Sequence, residues 1–209
     1  MLPLGVFILA LSPSDILNKL KDAFPSHHKV VRVTVFGDSG VGKTSLIKRF
    51  VSAKFTPTYS MTIGGDFASK QIPLSNDSAA TIIFSDVAGQ ERFKDTREVF
   101  YAGAEIALAV FDLTRFQSLD NLLKIWIPKF IKNSSSRNLK IQLIGNKSDL
   151  ENYTVITPQD IQELASKITM RFPNITLLKP YLLTSAKMNE FSSDSIYSMG
   201  NLVMNSIPA

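Results

Sequence analysis

Short apolar runs alternate with amphipathic segments along most of this chain. The apolar runs predict six strands, at residues 29–36, 66–74, 80–86, 105–112, 139–145 and 180–185. Apolar residues at helical spacing predict five helices, at residues 43–52, 91–101, 116–132, 158–171 and 190–206. The polar run 75–78 suits a hairpin turn between two adjacent strands. The pattern therefore predicts an α/β fold with a six-stranded, mostly parallel sheet, one antiparallel strand, and helices on both faces.

The residues before the first strand form a separate segment. The sequence predicts a short amphipathic helix with Ser12 as its N-cap and Pro25 as its end. We therefore divide the chain into an N-terminal extension, 1–28, and one domain, 29–209. The apolar start, 2–11, lacks the positive residues of a secretory signal, and no apolar stretch approaches the roughly 18 residues that cross a bilayer.

Composition narrows the classes of function. The chain has 209 residues, of which 44% are hydrophobic, and a net charge of +5. Its basic residues are scattered, so we expect a solvated surface and no nucleic-acid interface. It has no cysteine, which excludes disulfides, thiolate metal sites and lipid attachment through a thiol.

A glycine-rich run, Gly37-Asp38-Ser39-Gly40-Val41-Gly42-Lys43-Thr44, matches G-x-x-x-x-G-K-[ST]. Such a run can be a plain turn, but a predicted strand before it and a predicted helix after it favour a phosphate-binding loop. Lys43 can reach the outer phosphates, and the Thr44 hydroxyl can bind Mg²⁺. The expected nucleotide-binding residues here are Asp38, Ser39, Gly40, Val41, Gly42, Lys43, Thr44 and Ser45.

A second polar segment follows the strand at 80–86. Asp86 can hold Mg²⁺ through water, and Gly89 leaves a backbone amide free to approach a γ-phosphate. Gln90 has both a donor and an acceptor with which to orient an attacking water. The alternative is an ordinary polar turn at a strand end.

The base is predicted to bind at two further segments. Asn146-Lys147-Ser148-Asp149 follows the strand at 139–145, and the carboxylate of Asp149 can accept hydrogen bonds from guanine N1–H and its 2-amino group. Adenine offers no such pair of donors. Ser185-Ala186-Lys187 ends the last strand and can present a backbone amide to guanine O6.

These segments, in this order, resemble the Ras-like small GTPases, and the resemblance runs from about residue 30 to 207. Residues 37–44, 62–67, 88–93 and 101–104 are most similar to the Rab branch. The resemblance implies the P-loop NTPase G-domain fold. It also implies that Thr62 binds Mg²⁺ and senses the γ-phosphate, that Phe55 packs on guanine, and that Tyr59 closes over the phosphates.

The chain also departs from the Rab pattern. Ser85 stands where a Rab has Trp, so recognition of effectors is expected to differ. About ten extra residues separate the two base motifs and predict an enlarged loop or longer helix near 170–179. The sequence ends without the cysteines that carry prenyl groups. The apolar extension can replace that anchor by lying on a membrane surface, or it can pack on the domain.

The resulting expectation is a GTP/GDP switch that binds Mg²⁺ and hydrolyses GTP, with Gln90, Lys43 and Thr62 as catalytic residues. Unaided turnover is expected to be slow, because neither the glycine-rich run 37–44 nor residues 55–67 supply an arginine as an evident catalytic finger. Expected partners are an exchange factor, a GTPase-activating protein and effectors, at 55–67 and 86–101, in the cytoplasm or at the cytosolic face of a membrane. The alternatives are a nucleotide-dependent binding module with little hydrolysis, and a P-loop kinase or ATPase.

Overall fold

A computed structural model describes six stretches of the chain, and these build one mixed sheet flanked by helices. The described residues are 29–52, 65–73, 79–89, 98–134, 138–178 and 181–188. The predicted N-terminal helix, the turn at 75–78, the helix at 190–206 and most of the helix at 91–101 lie outside them. The division into an extension and one domain is therefore not tested and stays a prediction.

The strands agree closely with the predicted apolar runs. They are β1 (Lys29–Phe36), β2 (Gly65–Pro73), β3 (Ala79–Val87), β4 (Ile106–Asp112), β5 (Leu139–Asn146), β6 (Ile175–Leu177) and β7 (Leu182–Thr184). The helices are α1 (Lys43–Ser52), α2 (Glu98–Tyr101), α3 (Phe116–Asn121), α4 (Ile127–Asn133) and α5 (Pro158–Arg171). Within the described residues, no helix combines the length and apolar character needed to cross a bilayer.

The sheet has the order β2-β3-β1-β4-β5-β6. The β2–β3 pair is antiparallel, whereas β1–β3, β1–β4, β4–β5 and β5–β6 are parallel. Parallel strands that are covered on both faces read as continuous apolar runs, and all seven residues of β4 are buried. The predicted α/β class with one antiparallel pair is confirmed.

The strand beyond β5 is divided into two pieces. Ile175–Leu177 pairs with residues 139–141 of β5, and Leu182–Thr184 pairs with residues 144–146 of the same strand. The predicted strand at 180–185 is present as Leu182–Thr184, whereas β6 was not predicted and lies in the segment near 170–179 where a loop or longer helix was expected. Helix α5 ends at Arg171, and Ile175 is buried beside β5.

Successive strand residues point to opposite faces of the sheet and create two cores. On one face, Leu46, Ile47 and Phe50 of α1 pack against the sheet. On the other face, apolar residues of α2 to α5 cover the same strands. The glycine-rich run 37–44 therefore leads into a helix whose apolar side packs on the sheet.

The predicted helix at 116–132 is interrupted. Helix α3 passes into a π-helical turn, Leu122–Trp126, before α4 begins. The amide of Ile127 donates to the carbonyl of Leu122, five residues back. Pro128 gives the physical reason, because it lacks an amide hydrogen and its ring would clash with the carbonyl four residues earlier in a continuous α-helix.

Candidate active site

Three loops that carry the predicted motifs meet at one edge of the sheet. Residues 37–42 follow β1, 88–89 follow β3, and 147–149 follow β5. Strand β1 pairs with β3 and β4, and β4 pairs with β5, so the carboxyl ends of these parallel strands lie side by side. Open α/β sheets bind ligands at such an edge.

The glycine-rich loop has a backbone shape that only glycine adopts easily. Gly37, Gly40 and Gly42 have φ values of 141°, 76° and 98°. A Cβ on Gly37 would lie 2.1 Å from the carbonyl oxygen of Val110, and one on Gly42 would lie 2.2 Å from Nδ2 of Asn146. The loop therefore holds its backbone close to both β4 and the β5 motif.

Lys43 lies over the same loop. Its Nζ donates to the carbonyl oxygens of Gly37 and Asp38, at 2.9 Å each. The side chain is buried, so these bonds satisfy donors that would otherwise be costly to remove from water. A fixed positive charge thus lies within the loop where phosphates are expected.

The β3 loop contacts the glycine-rich loop directly. The Thr44 hydroxyl donates to Oδ2 of Asp86, which is only 3% exposed. A Cβ on Gly89 would lie 2.4 Å from the amide nitrogen of Ser39. The structure thus brings together the predicted metal-binding pair and the glycine predicted to approach a γ-phosphate.

Asn146 connects the phosphate side of the site to the base side. Its Nδ2 donates to the carbonyl of Val41 at 2.7 Å, and its Oδ1 accepts from the amide of Ala186 at 3.1 Å and from the Thr184 hydroxyl at 3.3 Å. Asn146 is only 1% exposed, so its side-chain amide is occupied with these protein hydrogen bonds and does not form part of the surface. It ties three loops together.

Asp149 and Ser185, from the two segments predicted to bind the base, are hydrogen-bonded to each other. The Ser185 hydroxyl donates to Oδ1 of Asp149 at 2.6 Å and accepts from the amide of Met188 at 2.9 Å. Lys187 lies 3.9 Å from Oδ2 of Asp149 but is largely exposed, so that ion pair is weak. The carboxylate is therefore oriented chiefly by Ser185.

Lys147 is fixed by an acidic residue that the sequence analysis did not select. Its Nζ lies 2.6 Å from Oδ2 of Asp112, and its backbone has a φ of 69°. Oδ1 of Asp112 accepts from the amide and hydroxyl of Thr114, at 3.0 and 2.7 Å. Burial would raise the pKa of Asp112, but the hydrogen bonds from Lys147 and Thr114 and the charge of Lys147 outweigh it and hold the pKa below its ordinary value.

Arg49 is a second residue that the sequence analysis missed. It is buried in α1, and its Nη2 donates to the carbonyl oxygens of Ala186 and Lys187, at 3.3 and 3.1 Å. It therefore holds the Ser185-Ala186-Lys187 segment against the helix that follows the glycine-rich loop. A charged residue on the apolar side of the predicted helix 43–52 was the sequence feature that could have indicated a structural role for Arg49.

The remaining predicted residues divide into two groups. Val41 is buried, Gly40 is exposed, and Ser45 lies in the first turn of α1. Outside the described residues lie Phe55, Tyr59, Thr62 and Gln90. Their roles stay predictions.

Comparisons with known proteins agree with this geometry. A sequence model of the Ras family matches residues 32–202. The Ypt/Rab-type GTPase YPT7 of Saccharomyces cerevisiae is 36% identical over 172 residues, which cover 80% of this chain and 78% of that protein. The Ras-related protein Rab-7a of Dictyostelium discoideum is 37% identical over 161 residues, which cover 76% of this chain and 74% of that protein. The chain therefore belongs to the Ras family and is a guanine-nucleotide-binding small GTPase of the Rab type.

Proposed function

We propose that this GTPase is a GTP/GDP switch that binds its nucleotide with Mg²⁺ at the carboxyl edge of the sheet. The observation that carries the proposal is the contact network of Asn146, which joins Val41 of the glycine-rich loop to Ala186 of the base segment. A triphosphate on one side and a base on the other would share one continuous site. GTP would be hydrolysed there to GDP and phosphate.

The phosphate half of the proposed site uses backbone amides and one ammonium group. Gly40 and Gly42, with their positive φ values, give this loop the kind of backbone that can turn successive amides toward phosphate oxygens. Lys43 lies beside them and would neutralise charge that develops on the outer phosphates. These groups position and stabilise rather than form bonds.

Thr44 and Asp86 would hold Mg²⁺. Thr62, which lies outside the described residues, would be a further ligand. A hydroxyl and a carboxylate are oxygen ligands of the kind that Mg²⁺ accepts, and the two side chains are in contact. When bound, Mg²⁺ neutralises the β- and γ-phosphate oxygens.

The base half of the proposed site selects guanine through Asp149. Its Oδ1 is engaged by Ser185, and the carboxylate still has lone pairs for the N1–H and 2-amino groups. The backbone of Ala186 would meet guanine O6, and Arg49 holds that backbone in place. Phe55 would cover the ring, as the family resemblance implies.

Hydrolysis and switching are proposed to depend on residues at the γ-phosphate. Gln90 would align the attacking water, while Gly89 and Thr62 would contact the γ-phosphate and be released on its loss. Gly89 already lies against Ser39 of the glycine-rich loop, so a change at the phosphate can reach the β3 loop directly. The binding module without hydrolysis is not favoured, because the relative YPT7 is named as a Ypt/Rab-type GTPase.

The switch is proposed to act in Rab-like membrane trafficking or signalling, in the cytoplasm or at the cytosolic face of a membrane. Exchange factors, activating proteins and effectors would bind at residues 55–67 and 86–101. Phe67 stacks on Phe100 with ring centroids 5.0 Å apart, and Ser85 lies opposite Phe67 in the β2–β3 pair. Since Ser85 replaces the Trp of the Rab pattern, effector preference would differ from that of a typical Rab.

Membrane contact by residues 1–28 stays a prediction beside its alternative, packing on the domain. Flotation with liposomes would decide between them, using the full chain and a chain that begins at Lys29, each loaded with GDP or GTP. Membrane contact predicts that only the full chain enters the lipid fraction. Equal recovery of both chains would contradict it.

The switch itself is tested by nucleotide content and turnover. Purified protein is expected to retain GDP or GTP when Mg²⁺ is in excess, and bound GTP is expected to become GDP during incubation. Chromatography of the released nucleotide measures both. Retention of unchanged GTP would favour the binding module, and failure to retain any guanine nucleotide would contradict the proposed site.

A further inference from the structure

The glycine-rich loop carries a carboxylate beside its phosphate-binding amides. Asp38 follows Gly37, and its own carbonyl accepts a hydrogen bond from Lys43 at 2.9 Å. A negative side chain this close to a polyanionic ligand opposes binding unless it is directed elsewhere, because like charges repel over several ångströms. The contacts of this carboxylate therefore bear on nucleotide affinity.

Both oxygens of Asp38 are held by neutral donors from one helical segment. Asn121 Nδ2 donates to Oδ2, and Trp126 Nε1 donates to Oδ1, at 2.8 Å each. The Trp126 ring is buried and stacks on Phe36, the last residue of β1, with an interplanar angle of 9°. The indole is thus fixed on both its face and its polar edge.

The π-helical turn explains how these two donors reach the same carboxylate. Residues three or four apart share one side of an α-helix, whereas residues five apart are about 140° apart around it. Asn121 and Trp126 are five apart and span the π-helical turn, whose hydrogen bond joins residues 122 and 127. The wider turn brings both side chains to the same side, and π-helical turns of this kind often occur at functional sites.

A third contact joins the same segment to the next loop residue. Arg115, which precedes α3, donates from Nη2 to the carbonyl of Ser39 at 2.8 Å. Residues 115–126 therefore hold two consecutive residues of the glycine-rich loop. These contacts link the shape of the loop to that segment.

We propose that Asn121 and Trp126 are positioning residues for nucleotide binding, which together hold the Asp38 carboxylate against the helix and away from the phosphates. This inference rests on the proposed nucleotide site. The interrupted helix would thereby help to retain the bound nucleotide. A released carboxylate would oppose GTP more than GDP, because GTP carries the greater negative charge, and salt would weaken the difference.

The decisive variant is Trp126→Phe, which keeps an aromatic ring on Phe36 and removes the Nε1–H donor. GDP dissociation is expected to become about tenfold faster, and GTP dissociation faster still, since hydrogen bonds to charged groups are among the stronger ones. In an Asp38→Asn background the same substitution is expected to change either rate less than about threefold, because no charge remains to be held.

Phe130→Leu is the matched control, since Phe130 also packs on Phe36, with ring centroids 5.6 Å apart, but has no polar group that could donate to Asp38. It is expected to lower the melting temperature while leaving both dissociation rates near those of the wild type. Asn121→Leu removes the other donor and provides the test if Trp126→Phe does not fold.

The results distinguish failure of the positioning role of Asn121 and Trp126 from failure of the proposed nucleotide site. Equal acceleration by Trp126→Phe in the wild-type and the Asp38→Asn backgrounds would show a purely structural role and overturn the inference. So would unchanged dissociation in both single variants, or acceleration by Phe130→Leu. A wild-type protein that does not retain GDP in excess Mg²⁺ would overturn the proposed nucleotide site and this inference with it.

Discussion

Nδ2 of Asn146 donates a 2.7 Å hydrogen bond to the carbonyl of Val41, although 105 positions separate the two residues. The same side chain accepts from the amide of Ala186, so one buried amide group couples the phosphate loop to the base segment. The glycine-rich loop and the base segment are far apart in the sequence, and this side chain contacts both of them. Their relative position depends on this side chain.

Asn146→Ala is therefore expected to accelerate nucleotide dissociation by more than about tenfold, because buried partners left without hydrogen bonds cost about 1–3 kcal/mol each. Release of a fluorescent GDP analogue measures the rate. Asn133→Ala is the matched control, since its Nδ2 donates a 2.8 Å bond to a local carbonyl, that of Lys129. Equal rates in the two variants would contradict the coupling role of Asn146.

Asp149→Asn is expected to change base preference from guanine to xanthine. The amide introduced at this position can donate to the 2-oxo group of xanthine, whereas it no longer offers two acceptor oxygens to guanine. Competition between GDP and xanthosine diphosphate measures the preference, which is expected to shift by at least about 100-fold.

Glu151→Gln is the control for that exchange, because Glu151 lies two residues away and is exposed. It should retain the wild-type preference for GDP. An Asp149→Asn protein that still selected GDP as strongly as the wild type would show that another residue reads the base.

Much of this fold follows from local signals in the sequence. Strands covered on both faces appear as uninterrupted apolar runs, as in β4. Helix α5 is preceded by its N-cap, Thr157, whose hydroxyl and backbone form a capping box with Asp160. The glycine-rich loop and the base motif were predicted because their residue types and spacing carry their own chemistry.

Other features depend on which segments meet in space. Nothing near Lys147 in the sequence selects Asp112 as its partner, and no local pattern places Trp126 beside Asp38. The division of the edge strand into β6 and β7 likewise reflects pairing with β5 rather than a strong apolar run. Three-residue strands are too short to predict from periodicity.

The Asp112–Lys147 pair is expected to make stability depend on acid pH. The folded pKa of Asp112 lies below its ordinary value, so its contribution is present above the unfolded pKa of about 4 and is lost as the pH falls through the folded pKa. Asp112→Asn weakens the hydrogen bonds from Lys147 and Thr114, so it should lower the free energy of unfolding at pH 7 by roughly 2 kcal/mol. It should also flatten the dependence of that free energy on pH below about 4. Denaturant titrations between neutral and acid pH measure both.

Asp120→Asn supplies the comparison for this pair. Asp120 also lies 2.6 Å from a lysine, Lys124, but those side chains are 28% and 63% exposed, against 5% for Asp112. Exposed pairs contribute little, so a change below about 1 kcal/mol is expected. Similar losses in the two variants would show that burial does not distinguish the pairs.

Gln90→Leu is expected to bind GTP normally and to hydrolyse it at least about tenfold more slowly, because leucine cannot orient a water molecule. Single-turnover hydrolysis of pre-loaded GTP separates the chemical step from nucleotide release. Gln162→Leu, on the exposed side of α5, should hydrolyse GTP at the wild-type rate. Wild-type turnover by Gln90→Leu would remove Gln90 from the proposed mechanism.

Gly89→Ala tests whether the β3 loop must touch the glycine-rich loop for hydrolysis. The added Cβ would lie 2.4 Å from the amide of Ser39 and 2.6 Å from the carbonyl carbon of Asp38, and backbone atoms cannot move aside as a flexible side chain can. The β3 loop is therefore expected to be displaced, which separates Gly89 and Gln90 from the γ-phosphate. Single-turnover hydrolysis should fall by about 100-fold, while GDP, which has no γ-phosphate, should dissociate within about threefold of the wild-type rate. Parallel losses of GDP and GTP binding would instead place the damage in the glycine-rich loop itself.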